Sequence, residues 1–109
     1  MPFIDLSTIN ERELIPGYRG KFIHSQHMTV VHWHIRAGFP LPEHSHPNEL
    51  VVNVIEGQFE LTVDGETRIL EPGSVAIIPS NAKHSARAVT DCRTIEAFYP
   101  IREDYRFDN

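Results

Sequence analysis

Apolar and polar residues alternate with period two along most of the chain. The pattern is plainest in residues 58–63, where Phe59, Leu61 and Val63 are separated by Glu60 and Thr62. One face of such a segment is apolar and the other wet, as in a half-buried β-strand. Asp64-Gly65 follows, and then a second run over residues 66–71. Asp-Gly between two such runs predicts a hairpin with a two-residue type I′ turn, whose central positions both need positive φ. Turn signals recur throughout, at Pro16-Gly17, Ala37-Gly38, Glu56-Gly57, Pro72-Gly73, Pro79-Ser80-Asn81, Thr90-Asp91 and Pro100. The runs between them predict strands over 21–24, 27–36, 50–56, 74–78, 84–89 and 93–99, most too short for a helix. Only residues 7–14 offer helix material, with Ser7 as cap and Pro16-Gly17 as stop. The expected fold is all-β, one domain over residues 1–109 with two packed sheets and at most a short N-terminal helical turn.

Composition narrows the function classes. A hydrophobic fraction of 40% and a charged fraction of 23% are ordinary for a globular chain. A net charge of −5 argues against a nucleic-acid binder that tracks phosphates. No apolar run approaches the ~18 residues of a membrane helix, and the first residues lack the basic and apolar regions of a signal peptide. Cys92 is the single cysteine, so no intrachain disulfide forms. A cytoplasmic protein with no membrane or nucleic-acid partner is the expectation.

Seven histidines stand out in this composition. His44 and His46 lie in a proline-rich segment, residues 39–47, expected to be a stiff loop. Two imidazoles at i and i+2 in extended chain point the same way and can reach one metal ion. Farther along, Pro79 ends a predicted strand, Asn81 suits the left-handed conformation of a tight turn, and His84 opens the next strand. His32 and His34 alternate with Val31, Trp33 and Ile35. Either their face is solvent-exposed or it lines the barrel and supplies a further ligand or base. His24 and His27 flank a Ser-Gln turn and read as surface residues.

Together the two histidine segments resemble the two motifs of the cupin family. The first family motif is Gly, five residues, His-x-His, three or four residues, Glu, six residues, Gly. Gly38, His44, His46 and Gly57 fall in that register. The second is Gly, five residues, Pro-x-Gly, two residues, His, three residues, Asn. Gly73, Pro79 and His84 match it, while Asn81 and Ala88 replace the later Gly and the Asn. The resemblance implies a small double-sheet jelly roll with one divalent metal ion per chain on His44, His46 and His84. Iron, nickel, zinc and manganese all remain open. Leu50 stands where the family has its remaining ligand, usually Glu or Gln. Glu49, one residue off, should face the other way in a strand and serve a supporting role.

The ending, residues 93–105, carries a second resemblance. Alternation puts Glu96 and Phe98 on one face and Ile95, Ala97 and Tyr99 on the other. A Glu in a strand apolar on both sides is uncommon unless paired, at an edge or functional, but on composition alone the favoured reading is a Glu96 that faces solvent and an Arg102 in a charged tail. The run Glu-Ala-Phe-Tyr-Pro-Ile-Arg-Glu-Asp-Tyr is similar to the Asp-x-Phe-Ser-Pro-x-Arg-x-Asp-Phe/Tyr ending of pectin-degradation-type monocupins. The likeness extends upstream to Ile15-Pro-Gly-Tyr-Arg-Gly-Lys and His-Ser-His-Pro-x-Glu. Those relatives help convert 4,5-unsaturated uronates to open-chain keto sugars. The resemblance implies Glu96 as acid/base, Arg102 as orienter of a carboxylate and Phe98 as an apolar wall against a small-molecule substrate. Glu96 stands for the family Asp and is longer by a methylene.

Three functional readings follow. The first is a metal-dependent enzyme acting on a small oxygenated or carboxylated molecule, with uronate ring opening as one member. The second is a three-histidine non-haem iron dioxygenase, for which Leu50 is a point in favour. The third is a non-catalytic binding or sensing module. A homodimer is expected on family resemblance.

Overall fold

The computed structural model describes residues 2–107. Its ten strands are β1 (Arg12–Ile15), β2 (Tyr18–His24), β3 (Thr29–Ile35), β4 (Pro40–His44) and β5 (Glu49–Glu56), followed by β6 (Phe59–Val63), β7 (Glu66–Leu70), β8 (Val75–Ile78), β9 (His84–Ala88) and β10 (Cys92–Tyr99). They form a six-stranded sheet in the order β1-β2-β3-β10-β5-β8 and a four-stranded sheet in the order β4-β9-β6-β7. Every pairing is antiparallel. The two sheets face each other as a double-sheet jelly roll. Among the described residues no helix is long and apolar enough to cross a membrane.

Turn chemistry sets the pairing. The β6–β7 hairpin turns through Asp64 (φ 47°) and Gly65 (φ 84°), as the Asp-Gly pair predicts. Gly57 closes the β5–β6 turn at φ 85°, packed so closely that an added Cβ would collide with the Asp91 carbonyl. Asn81, at φ 65°, makes the tight turn before β9.

Alternation then builds the core. Val31, Trp33 and Ile35 of β3, and Leu50, Val52 and Val54 of β5, are buried between the sheets. Across the large sheet the inner side chains form rows, Thr29–Phe98–Leu50–Ile78 and, one layer along, Val31–Glu96–Val52–Ala76. Each fully buried aliphatic or aromatic side chain in them contributes on the order of 1.5–3 kcal/mol.

The expected short N-terminal helical turn is present, but the extent of two segments is corrected. The turn ends at residue 8 and does not run on to 14. Leu6–Thr8 is a single 3-10 turn capped by Asp5, whose carboxylate accepts from the Ser7 N–H at 2.9 Å, and Arg12–Ile15 is strand β1. A stretch that short gains little as a helix, whereas pairing with β2 satisfies its backbone. Residues 39–47 are not wholly loop either, because Pro40–His44 pairs with β9 as strand β4. Its prolines are tolerated because β4 is the edge of its sheet.

Candidate active site

Strand pairing brings the three histidines together. His44 ends β4 directly opposite His84, the first residue of β9, with ring centroids 4.1 Å apart. His46 lies just beyond β4, 5.7 Å from His44 and 4.8 Å from His84 by centroids. The Pro79–Asn81 turn holds that loop: Asn81 N–H donates to the His46 carbonyl at 2.8 Å, and the Ser80 hydroxyl to the Pro47 carbonyl at 2.6 Å.

Each ring is oriented in the same way. Nδ1 of His44 bonds the Pro42 carbonyl at 2.8 Å, that of His46 the Asn48 carbonyl at 2.9 Å, and that of His84 the Ala82 carbonyl at 2.9 Å. A carbonyl only accepts, so each Nδ1 carries the hydrogen and each Nε2 is left with a lone pair. Nε2 of His46 and of His84 are buried with no hydrogen-bond partner. Burial, the main cause, pushes His46 down to about 4 and lowers His84 as well, which keeps both rings neutral near pH 7. The candidate ligand atoms of the three lie within 4.8 Å of one another. Orphaned lone pairs converging in a buried place are costly alone and suited to a divalent ion.

The cavity beside the cluster is lined mainly by apolar side chains of both sheets, Leu50, Val52, Leu61 and Ile78 among them, with Glu96 and Arg102 as the charged groups. Glu96 lines the cavity, on the face of β10 it shares with Phe98; alternation pairs the two but leaves open which face is inward. Burial is the largest influence on its carboxyl and pushes it up to about 7, against hydrogen bonds from Thr94 and Trp33 and the charge of Arg102. The Thr94 hydroxyl donates to Glu96 Oε2 at 3.1 Å. Phe98 is buried one layer along, its ring 5.7 Å from His46. The Arg102 guanidinium lies over Phe98 and Tyr105, 5.0 and 4.0 Å from their centroids. Its Nε and Nη2 donate to the two carboxylate oxygens of Asp104 at 3.0 and 2.7 Å.

The neighbouring positions behave as their register requires. Leu50 is buried against the cavity opposite Phe98, and Glu49 is exposed on the other face beside Tyr99. Thus no acidic side chain stands where Leu50 does. His32 and His34 do not line the barrel, because Val31, Trp33 and Ile35 take the inner face, and both border a hollow on the outside instead. His24 is not a free surface residue. Its Nδ1 meets the Thr29 hydroxyl at 2.8 Å and its Nε2 the Tyr105 carbonyl at 3.0 Å.

Three lining residues escape sequence reasoning. Trp33 hydrogen bonds toward Glu96, Tyr105 packs edge-on to Phe98 at 5.6 Å, and the Tyr18 hydroxyl donates to the Phe39 carbonyl at 3.1 Å. Burial, above all, raises the Tyr105 phenol to about 12 and the Tyr18 phenol further still. Trp33 had a usable signal, since it sits on the apolar face of its strand.

This architecture and histidine cluster are those of a cupin. The sequence profile described as Cupin domain matches residues 31–98, and the chain belongs to that family. The fold overlays an RmlC-like cupin from Shewanella frigidimarina with a TM-score of 0.92 at 24% identity, covering 97% of this chain and 96% of that one. It is also similar to KdgF from Halomonas sp., with a TM-score of 0.90 at 27% identity over 97% of this chain and 99% of the other. An L-ectoine synthase from Saccharopolyspora erythraea is 43% identical over 51 residues. That match covers 45% of this chain and only 38% of the length of the synthase.

Proposed function

We propose that this protein is a metal-dependent cupin enzyme acting on a small carboxylated molecule held between the sheets. The observation that carries the reading is the pair of buried, partnerless Nε2 atoms on His46 and His84, converging with His44. In this reading the three Nε2 atoms hold one divalent ion. When bound, the ion supplies Lewis-acid polarisation of a carbonyl or hydroxyl oxygen. The chain's own residues do the rest. Glu96, its pKa near neutrality, takes or gives a proton at the oxygen not bonded to Thr94. Arg102 presents its remaining N–H donors to the substrate carboxylate. Phe98 closes the apolar side and keeps water from the reacting atoms. Ring opening of an unsaturated uronate is the reaction suggested by the resemblance of the Glu96–Tyr105 region to pectin-degradation-type monocupins, and the likeness to the Halomonas KdgF supports it.

A second reading, a three-histidine iron dioxygenase, is favoured by Leu50, an apolar side chain where a charged or polar ligand would otherwise stand. Incubating the metal-loaded protein with a 4,5-unsaturated uronate and following the ring by NMR separates the two. Conversion that Glu96→Gln abolishes, with metal retained, is the expected result. Oxygen uptake that depends on ferrous iron would replace the uronate reading with the dioxygenase reading. Ligand-dependent stabilisation with no product would leave a binding module.

We also expect two copies to pair through the outer face of the large sheet. There Ile23, Val30, Ala97, Val51 and Ile77 form a row across five strands, and Ile77 is 65% exposed.

A further inference from the structure

Five polar side chains are buried among the described residues: Thr29, His46, Asn48, His84 and Thr94. Two belong to the histidine cluster, and Thr94 holds Glu96. The reading above gives Thr29 and Asn48 no task, yet both are bonded to the same piece of chain. That piece is the C-terminal segment after β10, residues 100–107, which joins neither sheet and contains only a short 3-10 turn, Glu103–Tyr105. It carries Arg102.

The segment is fastened from outside itself. Asn48 Nδ2 donates to the Pro100 carbonyl at 2.5 Å and to the Ile101 carbonyl at 3.4 Å. The Arg102 N–H donates to Thr29 Oγ1 at 2.9 Å, and His24 Nε2 meets the Tyr105 carbonyl. By contrast, the ion pair of Arg102 with Asp104 lies within the segment and moves with it. It aims the guanidinium but anchors nothing to the barrel. Asn48 also faces the other way: its own carbonyl accepts from His46 Nδ1. One buried residue thus touches both the histidine arm through its backbone and the arginine segment through its side chain.

We propose that Asn48 is a positioning residue that joins the histidine arm to the C-terminal segment and sets where Arg102 stands beside the cluster. The proposal rests on the roles given above to the histidines and to Arg102. Truncating the side chain leaves the His46 acceptor in place, because that acceptor is backbone. It removes only the clasp on Pro100 and Ile101. The consequence is selective: the metal site stays formed, while Arg102 is released for part of the time.

Arg102 and Arg106 make the segment cleavable by trypsin, so its release is measurable without any activity. The test uses the full chain as wild type, Asn48→Ala and Asn48→Ser, with a near-UV spectrum as the check of folding. Trypsin cleavage after Arg102 in metal-free protein should be about tenfold faster in both variants, the effect of losing roughly one net hydrogen bond to a buried acceptor. Zinc affinity by chelator competition should stay within about threefold of wild type. Binding of galacturonate, a carboxylate probe, to the zinc-loaded protein should weaken about tenfold. A merely structural role would weaken zinc and galacturonate alike. That result, or unchanged cleavage and unchanged galacturonate binding, overturns the proposal. If Asn48→Ala does not fold, Asn48→Ser decides. If neither folds, Asn48→Leu decides, since it keeps the volume, lacks the Nδ2 donor and must speed cleavage for the clasp to stand. If wild type takes up no zinc, the affinity arms are run with whichever of iron, nickel or manganese it does bind, and the cleavage comparison judges the clasp in either case.

Discussion

Glu96→Gln should stabilise this protein, and only above mildly acidic pH. The Glu96 carboxyl has an ordinary pKa of 4.5 in the unfolded chain and about 7 in the folded one. Because the folded value is raised, the folded state holds the proton more tightly. The benefit is fully present below pH 4.5 and is lost as pH rises toward 7. Above 7 the folded chain carries a buried carboxylate that it accommodates poorly. At 1.36 kcal/mol per pKa unit, the rise from 4.5 to about 7 corresponds to about 3 kcal/mol. The cavity leaves part of Glu96 accessible, so about 2–3 kcal/mol is the expected size. Gln keeps an acceptor for Thr94 and cannot ionise. Urea denaturation of metal-free wild type and variant, from pH 4 to pH 8, gives the difference directly. The variant should match wild type near pH 4 and exceed it by about 2–3 kcal/mol at pH 8, or roughly 10 °C in Tm. A difference that does not change with pH would rule out a raised Glu96 carboxyl as its cause, because the other titrating groups are common to both proteins.

Two further outcomes follow from packing and backbone geometry. Phe98→Ala removes a buried ring from the layer beside Leu50 and Ile78 and should cost about 3–5 kcal/mol by the same denaturation measurement. A cost below about 1 kcal/mol would mean that the cavity already tolerates its absence. Gly57→Ala drives a Cβ into the Asp91 carbonyl at a positive φ and should cost about 2 kcal/mol or more, whereas Gly65→Ala, with open space around it, should cost less. Equal losses at the two positions would point to φ alone as the cause.

Much of this architecture is legible in local chemistry. The Asp64-Gly65 hairpin, the opposite facing of Glu49 and Leu50 and the shared face of Glu96 and Phe98 follow from turn preferences and period-two alternation, both properties of neighbouring residues, whereas the inward direction of Glu96 and Phe98 follows only from the resemblance. His44 and His46 share a direction for the same reason. Their meeting with His84 came from resemblance to the cupin motifs, since spacing alone says nothing of the pairing of β4 with β9. The features that sequence reading misses are non-local. Arg12–Ile15 becomes a strand only because β2 lies beside it, against a weak local helix signal. Pro40 and Pro42 argue for loop until β4 is found at a sheet edge. His24 reads as a surface residue because its second partner, Tyr105, lies 81 residues away. The clasp of Asn48 on Pro100 spans 52 residues and leaves no trace in either segment alone.

In the function proposed above, His44, His46 and His84 hold a metal ion without help from position 50. Mass spectrometric metal analysis of untagged protein, wild type beside His84→Ala, tests it most directly. About one divalent ion per wild-type chain, lost from the variant, is the expected result, because removing one of three neutral imidazoles leaves too few ligands for a tight site. No metal in wild type after reconstitution with iron, nickel, zinc and manganese would contradict it.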